Sequence, residues 1–309
     1  CSCAGRYHGG AGRAMGGKVP GIGCSARLKT PAAMSLGRRK VRIDDAARWV
    51  FNRMAGVYDA RPAYPAALID ALAARCGRPA GRVGDLGAGI GHIALPLAAR
   101  GFDVVAVEPA LEMLERLRAA ARDRALPVRA LHAAAEALPV DAGSLDLVVV
   151  ADALHFMDAE LVGGEIARTL SPQGALALVT CGFGDTPFMR GVVRIIEEAV
   201  PRRPRDLTLP LVHLSAVTRV QFADQLRFDD ETPVDPAALE RILRSISFIG
   251  PAMNPTRFAA FRDRIHALPG PPVWARTFTL LCGRRPSRQR PERRAGRPDG
   301  TAVDGDELR

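Results

Sequence analysis

Lysine is nearly absent from this chain: only three of its 309 residues are Lys. Arginine therefore supplies almost all of the positive charge, and together with the heavy use of alanine this reads as coding bias. No apolar run reaches the 18 or more residues that a membrane-spanning helix needs, so no such span is predicted. The amino terminus lacks the apolar stretch of a signal peptide. Six cysteines (Cys1, Cys3, Cys24, Cys76, Cys181 and Cys282) show no zinc-ligand spacing, so free thiols in a reducing cytoplasm and no metal are expected. The formal charge of +10 invites a nucleic-acid reading until its location is considered. Residues 1–43 hold nine Lys or Arg and no acid, and residues 284–309 hold eight Arg against five acids. The stretch between them is slightly acidic, which argues against a DNA-binding groove and leaves the basicity to the two ends. Both ends are predicted to be disordered. Met34 marks a plausible start for the ordered part.

The informative stretch is Val83-Gly84-Asp85-Leu86-Gly87-Ala88-Gly89-Ile90-Gly91, followed by Phe102-Asp103-Val104-Val105-Ala106-Val107-Glu108. An apolar strand ends in an acid and a glycine-rich turn, then a helix, then a second strand with an acid at its tip. Glycines at a strand-to-helix turn let a ligand approach where a Cβ would collide. The acid at the second strand's tip can accept from both hydroxyls of a ribose. A dinucleotide site uses G-x-G-x-x-G, with the helix amino terminus facing a pyrophosphate. Here the spacing is G-x-G-x-G, and Asp85, two residues before the first glycine, would repel a pyrophosphate while suiting an ammonium or sulfonium. S-adenosylmethionine carries both, and its ribose would reach Glu108. Glu108 comes 17 positions after Gly91, room for one helix and one strand.

Asp85-Leu86-Gly87-Ala88-Gly89-Ile90-Gly91 resembles motif I of the class I S-adenosylmethionine-dependent methyltransferases. Phe51 to Pro65, with Tyr58, Arg61-Pro62 and Tyr64-Pro65, is similar to the Y-x-x-x-R-P-x-Y-P segment of the type-11 and trans-aconitate-methyltransferase-like branch. Ala135-Glu136-Ala137-Leu138-Pro139, and Ser144 to Phe156 with Ala151 and His155, resemble its A-E-x-L-P and D-x-V-x-x-x-x-A-x-H-W segments. The likeness runs from about Phe51 to Cys181 and more loosely to Arg284.

The resemblance implies a cofactor site of Asp85, Gly87, Ala88, Gly89, Gly91, Glu108, Met113, Ala135, Glu136 and Ala151, with Met113 against the adenine. The chain departs from the family at Ala134, where an Asp often precedes the A-E pair. His155, just beyond the fourth strand's carboxyl edge, is the candidate catalytic residue, able to take a proton from an acceptor or to position it. A packed histidine is the other reading. Tyr58, Arg61 and Tyr64 are candidates for substrate binding, Arg61 for an anionic group, although simple helix termination fits them equally. Asp152 and Asp158 read as a turn acid and a helix cap.

Strands are predicted at Arg82 to Leu86, Asp103 to Val107, Val128 to His132, Leu145 to Ala151 and Ala175 to Thr180, with helices between them. Ser171-Pro172-Gln173-Gly174 reads as the turn before the fifth strand. Val217 to Phe228 reads as a strand or a cap element, and Trp274 to Cys282 as a closing strand. The expected fold is α/β: a doubly wound, seven-stranded, mostly parallel sheet with a helical cap. Residues 1–43 are a disordered extension and 44–284 the domain. Within it, 46–75 form cover helices, 82–181 the cofactor core, 186–265 the cap and 273–282 the closing strand; 285–309 form a disordered tail. The implied activity is methyl transfer from S-adenosylmethionine to a small molecule at oxygen or carbon, in the cytoplasm. A nucleic-acid acceptor is disfavoured, no membrane partner is expected and the oligomeric state is open. The competing readings are an NAD-dependent oxidoreductase and a non-catalytic cofactor-binding protein of the same fold.

Overall fold

The structure is a computed structural model that describes residues 46–200 and 207–286. The extension expected to be disordered, residues 1–43, lies outside the described residues, as does the tail expected at 285–309 except for Arg285 and Pro286. Helices α1 (Ala46–Tyr58) and α2 (Ala66–Cys76) precede strand β1 (Arg82–Leu86). Then follow α3 (Ala94–Ala99), β2 (Asp103–Glu108), α4 (Leu111–Asp123), β3 (Val128–His132), β4 (Leu145–Ala151), a 3-10 turn at Leu154–Phe156, α5 (Ala159–Thr169) and β5 (Leu170–Phe183). The remainder is α6 (Pro187–Ala199), α7 (Thr208–Thr218), β6 (Gln221–Pro233), α8 (Pro236–Arg244), α9 (Pro255–His266) and β7 (Val273–Arg284).

The seven strands form one sheet in the order β3-β2-β1-β4-β5-β7-β6. Neighbours from β3 to β5 pair parallel, and β7 lies antiparallel between β5 and β6. β2 and β4 are valine-rich runs buried on both faces, as strands covered by helices must be. One face packs on α2 and α3 through Leu68, Leu72, Leu97, Val104, Leu147 and Phe278; the other packs on α5 and α7 through Leu86, Val148, Ile166, Leu176 and Leu214. A separate core under α6, α8 and α9 joins Ile196, Leu243, Phe258, Ile265 and Trp274, and forms the cap. Each cap helix starts alike: Thr186, Asp235 or Asn254 accepts a backbone N–H of the first turn, and proline follows at the first helical position.

Two expectations are corrected. Ser171 to Gly174 is not a turn ahead of β5 but lies inside it. Leu170 already pairs with Leu145, Ala175 resumes against Leu147, and the residues between bulge out. Val217 to Phe228 divides: α7 ends at Thr218, Arg219 turns in the left-handed region at φ 57°, and β6 begins at Gln221.

Parallel strands deliver their carboxyl ends to one edge, and there the structure opens a cavity of about 900 Å³. α1 covers part of it by packing on α4 through Met54, Ala55 and Met113, and the cap covers the rest.

Candidate active site

The turn after β1 is pinned to the tip of β2. Gly87 and Ala88 donate N–H groups to Val107 O at 2.8 and 3.1 Å. Gly87 has φ 73°, and a Cβ there would stand 2.7 Å from the Ala153 Cβ, so glycine is required on both counts. Gly89, at φ 57°, donates to Glu108 Oε2 at 2.8 Å, while Ala110 N–H donates to Oε1 at 2.8 Å. Glu108 is 6% exposed, yet it lines the cavity. The two backbone donors fix the orientation of this carboxylate at the cavity wall.

Gly87, Gly89, Met113, Ala135, Glu136 and Ala151 line the same cavity as Glu108. Met113 is fully buried on α4, and Glu136 is tied down because its Oε1 accepts the Asp158 N–H at 3.1 Å. Ala88, Gly91 and Asp85 are not on the wall. Asp85 sits one residue inside β1, paired to Ala106 and Val149, and its side chain passes beneath the turn, where it accepts the Ala94 N–H. Its Oδ2 is buried with no hydrogen-bond partner, and burial pushes the carboxyl up to about 7, with Glu108 adding to the rise. The expected bracket of two carboxylates around one ligand is thus reduced to one on the wall and one underneath.

His155, on the 3-10 turn, lines the cavity with its ring centroid 3.8 Å from that of Phe156, which in turn meets Phe51 edge-on at 5.0 Å. Asp152 follows β4 in the left-handed region at φ 48°, its N–H held by Val179 O at 2.7 Å, and it also lines the cavity. Asp158 caps α5 by accepting from Glu160 and Leu161.

Tyr58, Arg61 and Tyr64 all reach the cavity, but Arg61 is committed elsewhere. Its Nε and Nη2 donate to Ser245 Oγ and O at 3.1 and 2.7 Å, and its Nη1 donates to Tyr58 Oη at 3.1 Å. The guanidinium offered for an anionic substrate instead ties residues 59–65 to the end of α8. Burial raises the Tyr58 and Tyr64 hydroxyls, Tyr64 well above its ordinary value, and the Asp152 charge adds to both shifts.

Three residues were not anticipated. Arg276, 7% exposed, donates to Pro62 O at 2.8 Å and Ala63 O at 2.6 Å, and binds Asp230 through Nε and Nη2. It ties Pro62 and Ala63 to β7 and, through Asp230, to β6. The available signal was the one charged residue inside the strand-like run Val273 to Leu281. His92 lies between Tyr58 and Tyr64, with ring centroids 6.1 and 6.2 Å away. It is kept neutral: burial, then Arg61 and Arg276, lower it to about 4. Cys181, at the end of β5, is pushed up to about 12 by burial and then by Asp152, so it is an inert thiol.

Among known proteins, the family described as Methyltransferase domain matches residues 84–178. An uncharacterized methyltransferase of Mycobacterium tuberculosis is 46% identical over 131 residues, covering 42% of this chain and 51% of the relative. The demethylmenaquinone methyltransferase of Thermus thermophilus is 41% identical over 101 residues, covering 32% of this chain and 46% of that one. The chain spans about half the length of the curated relatives it matches. A solved structure of a candidate type II methyltransferase from Anaeromyxobacter dehalogenans superposes with a TM-score of 0.52 at 21% identity, over 72% of this chain and 97% of that one, a likeness of fold. Residues 84–178 accordingly match a methyltransferase domain.

Proposed function

We propose that the cavity binds S-adenosylmethionine and that the protein transfers its methyl group to a small-molecule acceptor, at oxygen or carbon, in the cytoplasm. The observation that carries the reading is Glu108: a buried carboxylate on the cavity wall, oriented by the backbone N–H groups of Gly89 and Ala110. A carboxylate so placed suits the two ribose hydroxyls of an adenosyl group. Met113 and Ala135 give an apolar slot beside them for the base, and the Glu136 side chain is already engaged with Asp158. At about 900 Å³ the space lies near the top of the roughly 300–1,000 Å³ usual for a drug-sized ligand, which favours a cofactor plus a second molecule.

The cofactor supplies a methyl on a sulfonium, already activated for displacement. The protein's task is alignment and exclusion of water. Tyr58, Tyr64 and Phe156, with the clamped residues 59–65, wall off the space. His155, beyond the end of β4, is the group proposed to accept the acceptor's proton or to orient it. A concave cavity, rather than a flat surface, supports a small acceptor over a nucleic acid. Calorimetry with S-adenosylhomocysteine and with NAD tests the reading: binding of the first and not the second is expected, and the reverse overturns it.

A further inference from the structure

The cavity extends along the sheet edge well past Glu108. The turn after β1 and the tip of β2 lie on one side of β4, while Phe183 ends β5 and Trp274 begins β7 on the other. Those two rings meet edge-on, with centroids 5.8 Å apart and planes at 87°. A flat molecule in that corner stacks on one ring and meets the edge of the other. Ile242, Ile246 and Phe248 of the cap and Leu211 of α7 line the same cavity. The wall on this side is therefore aromatic and aliphatic.

Charge on the wall is already spoken for. Among the described residues, three arginines line the cavity, and each is engaged within the protein. Arg61 donates to Ser245 and Tyr58, and Arg276 to Pro62, Ala63 and Asp230. Arg227 donates to Asp229 and Thr277. Arg61 and Asp152 act on the Tyr58 and Tyr64 hydroxyls in opposite senses, so the acid offsets that guanidinium. Asp185 is paired with Arg190, and His92 is kept neutral, chiefly by burial. A carboxylate or phosphate entering this space would lose its water, find these cations engaged and meet the charge of Asp152.

We propose that the methyl acceptor is an uncharged, largely apolar ring compound, seated between the Phe183–Trp274 corner and the cap, and that carboxylate and phosphate acceptors are turned away. Its role as acceptor rests on the methyl-transfer reading, whereas the preference of this wall for a neutral ring does not.

The test uses 2-naphthol and 2-naphthoate, which share one ring system and are neutral and ionised respectively at neutral pH. Calorimetry on the full chain, with and without saturating S-adenosylhomocysteine, reads both. 2-Naphthol is expected to bind at least about tenfold tighter, since only the carboxylate must bury a charge. Phe248→Ala removes an aromatic wall and should weaken 2-naphthol by about tenfold. If that variant lowers the thermal midpoint, Leu211→Ala takes its place, with a loss of about fivefold. Equal binding of the two probes, tighter binding of 2-naphthoate, or binding of neither overturns the proposal. So does undiminished 2-naphthol affinity in a variant that keeps the parent's midpoint. Affinity for S-adenosylhomocysteine is measured on the same samples. Its absence would sink the methyl-transfer reading, while the two probes would still decide the charge preference of the cavity.

Discussion

Each oxygen of Glu108 accepts one backbone N–H, so the side chain is already oriented before any ligand arrives. Glu108→Ala removes an acceptor pair aimed at a ribose and leaves two amides without partners. A loss of about 1–3 kcal/mol in S-adenosylhomocysteine binding is expected, measured by calorimetry; unchanged affinity would remove the ribose assignment. Glu108→Gln should retain part of the affinity, because its amide still accepts one bond. Asp85 gives a different prediction. Its carboxyl, near 7 in the folded protein, titrates near 3.9 in an unfolded chain. The native state thus keeps a proton that the unfolded state has released, and stability falls as pH rises from about 4 to about 7. Asp85→Asn still accepts from Ala94 and has no charge to bury, so relative to the parent it should gain at least about 1 kcal/mol between pH 4.5 and pH 8. Parallel urea-unfolding profiles over that range would contradict the assignment. The sequence announced both acids but not where they point. Glu108 ends its strand and faces the opening; Asp85 is still within β1, and the alternation of a strand sends it under the turn.

At the scale of elements, residues 59–65 are held by their own Arg61, which reaches outward, and by Arg276 from a distant part of the chain. Arg61 reaches Ser245, and Arg276 reaches back to Pro62 and Ala63 while holding Asp230. Arg276→Ala strips two carbonyls of their donors and leaves the mostly buried Asp230 uncompensated, a loss on the order of 3–5 kcal/mol in urea unfolding. Arg276→Lys should recover only part of it, since a single ammonium cannot replace a planar fork serving three acceptors. If alanine costs less than about 1 kcal/mol, near the value of an exposed pair, the clamp is not structural. Full recovery by lysine would contradict the forked geometry. Local signals located most elements: caps with a following proline start α6, α8 and α9, and the valine runs mark β2 and β4. α7 was not legible, because in Thr208–Thr218 apolar and polar residues follow no 3.6-residue pattern and Pro210 interrupts the run. The clamp was invisible for another reason: its halves are more than 200 residues apart, and only the β5–β7–β6 pairing brings them together.

At the scale of the molecule, the cavity is walled by parts from three separate cores: the two faces of the sheet and the cap. A ligand filling it touches all three, so its binding energy should appear as stability of the whole domain rather than of one lobe. For a ligand that binds only the folded state, about 2.7 kcal/mol is added at a free concentration of 100 times the dissociation constant. In a domain of this size each kcal/mol moves the midpoint by about 2–4 °C, so S-adenosylhomocysteine at that ratio should raise it by roughly 5–10 °C in one cooperative transition. NAD at the same concentration should leave it where it is. Glu108→Ala, held at the wild-type ligand concentration, should lose most of the increase, because the occupancy that generates it depends on that carboxylate. Differential scanning calorimetry separates the outcomes. A shift confined to one of two resolved transitions would mean that the ligand does not bridge the cores. An equal shift with NAD would return the glycine turn to the dinucleotide reading that its G-x-G-x-G spacing opposes.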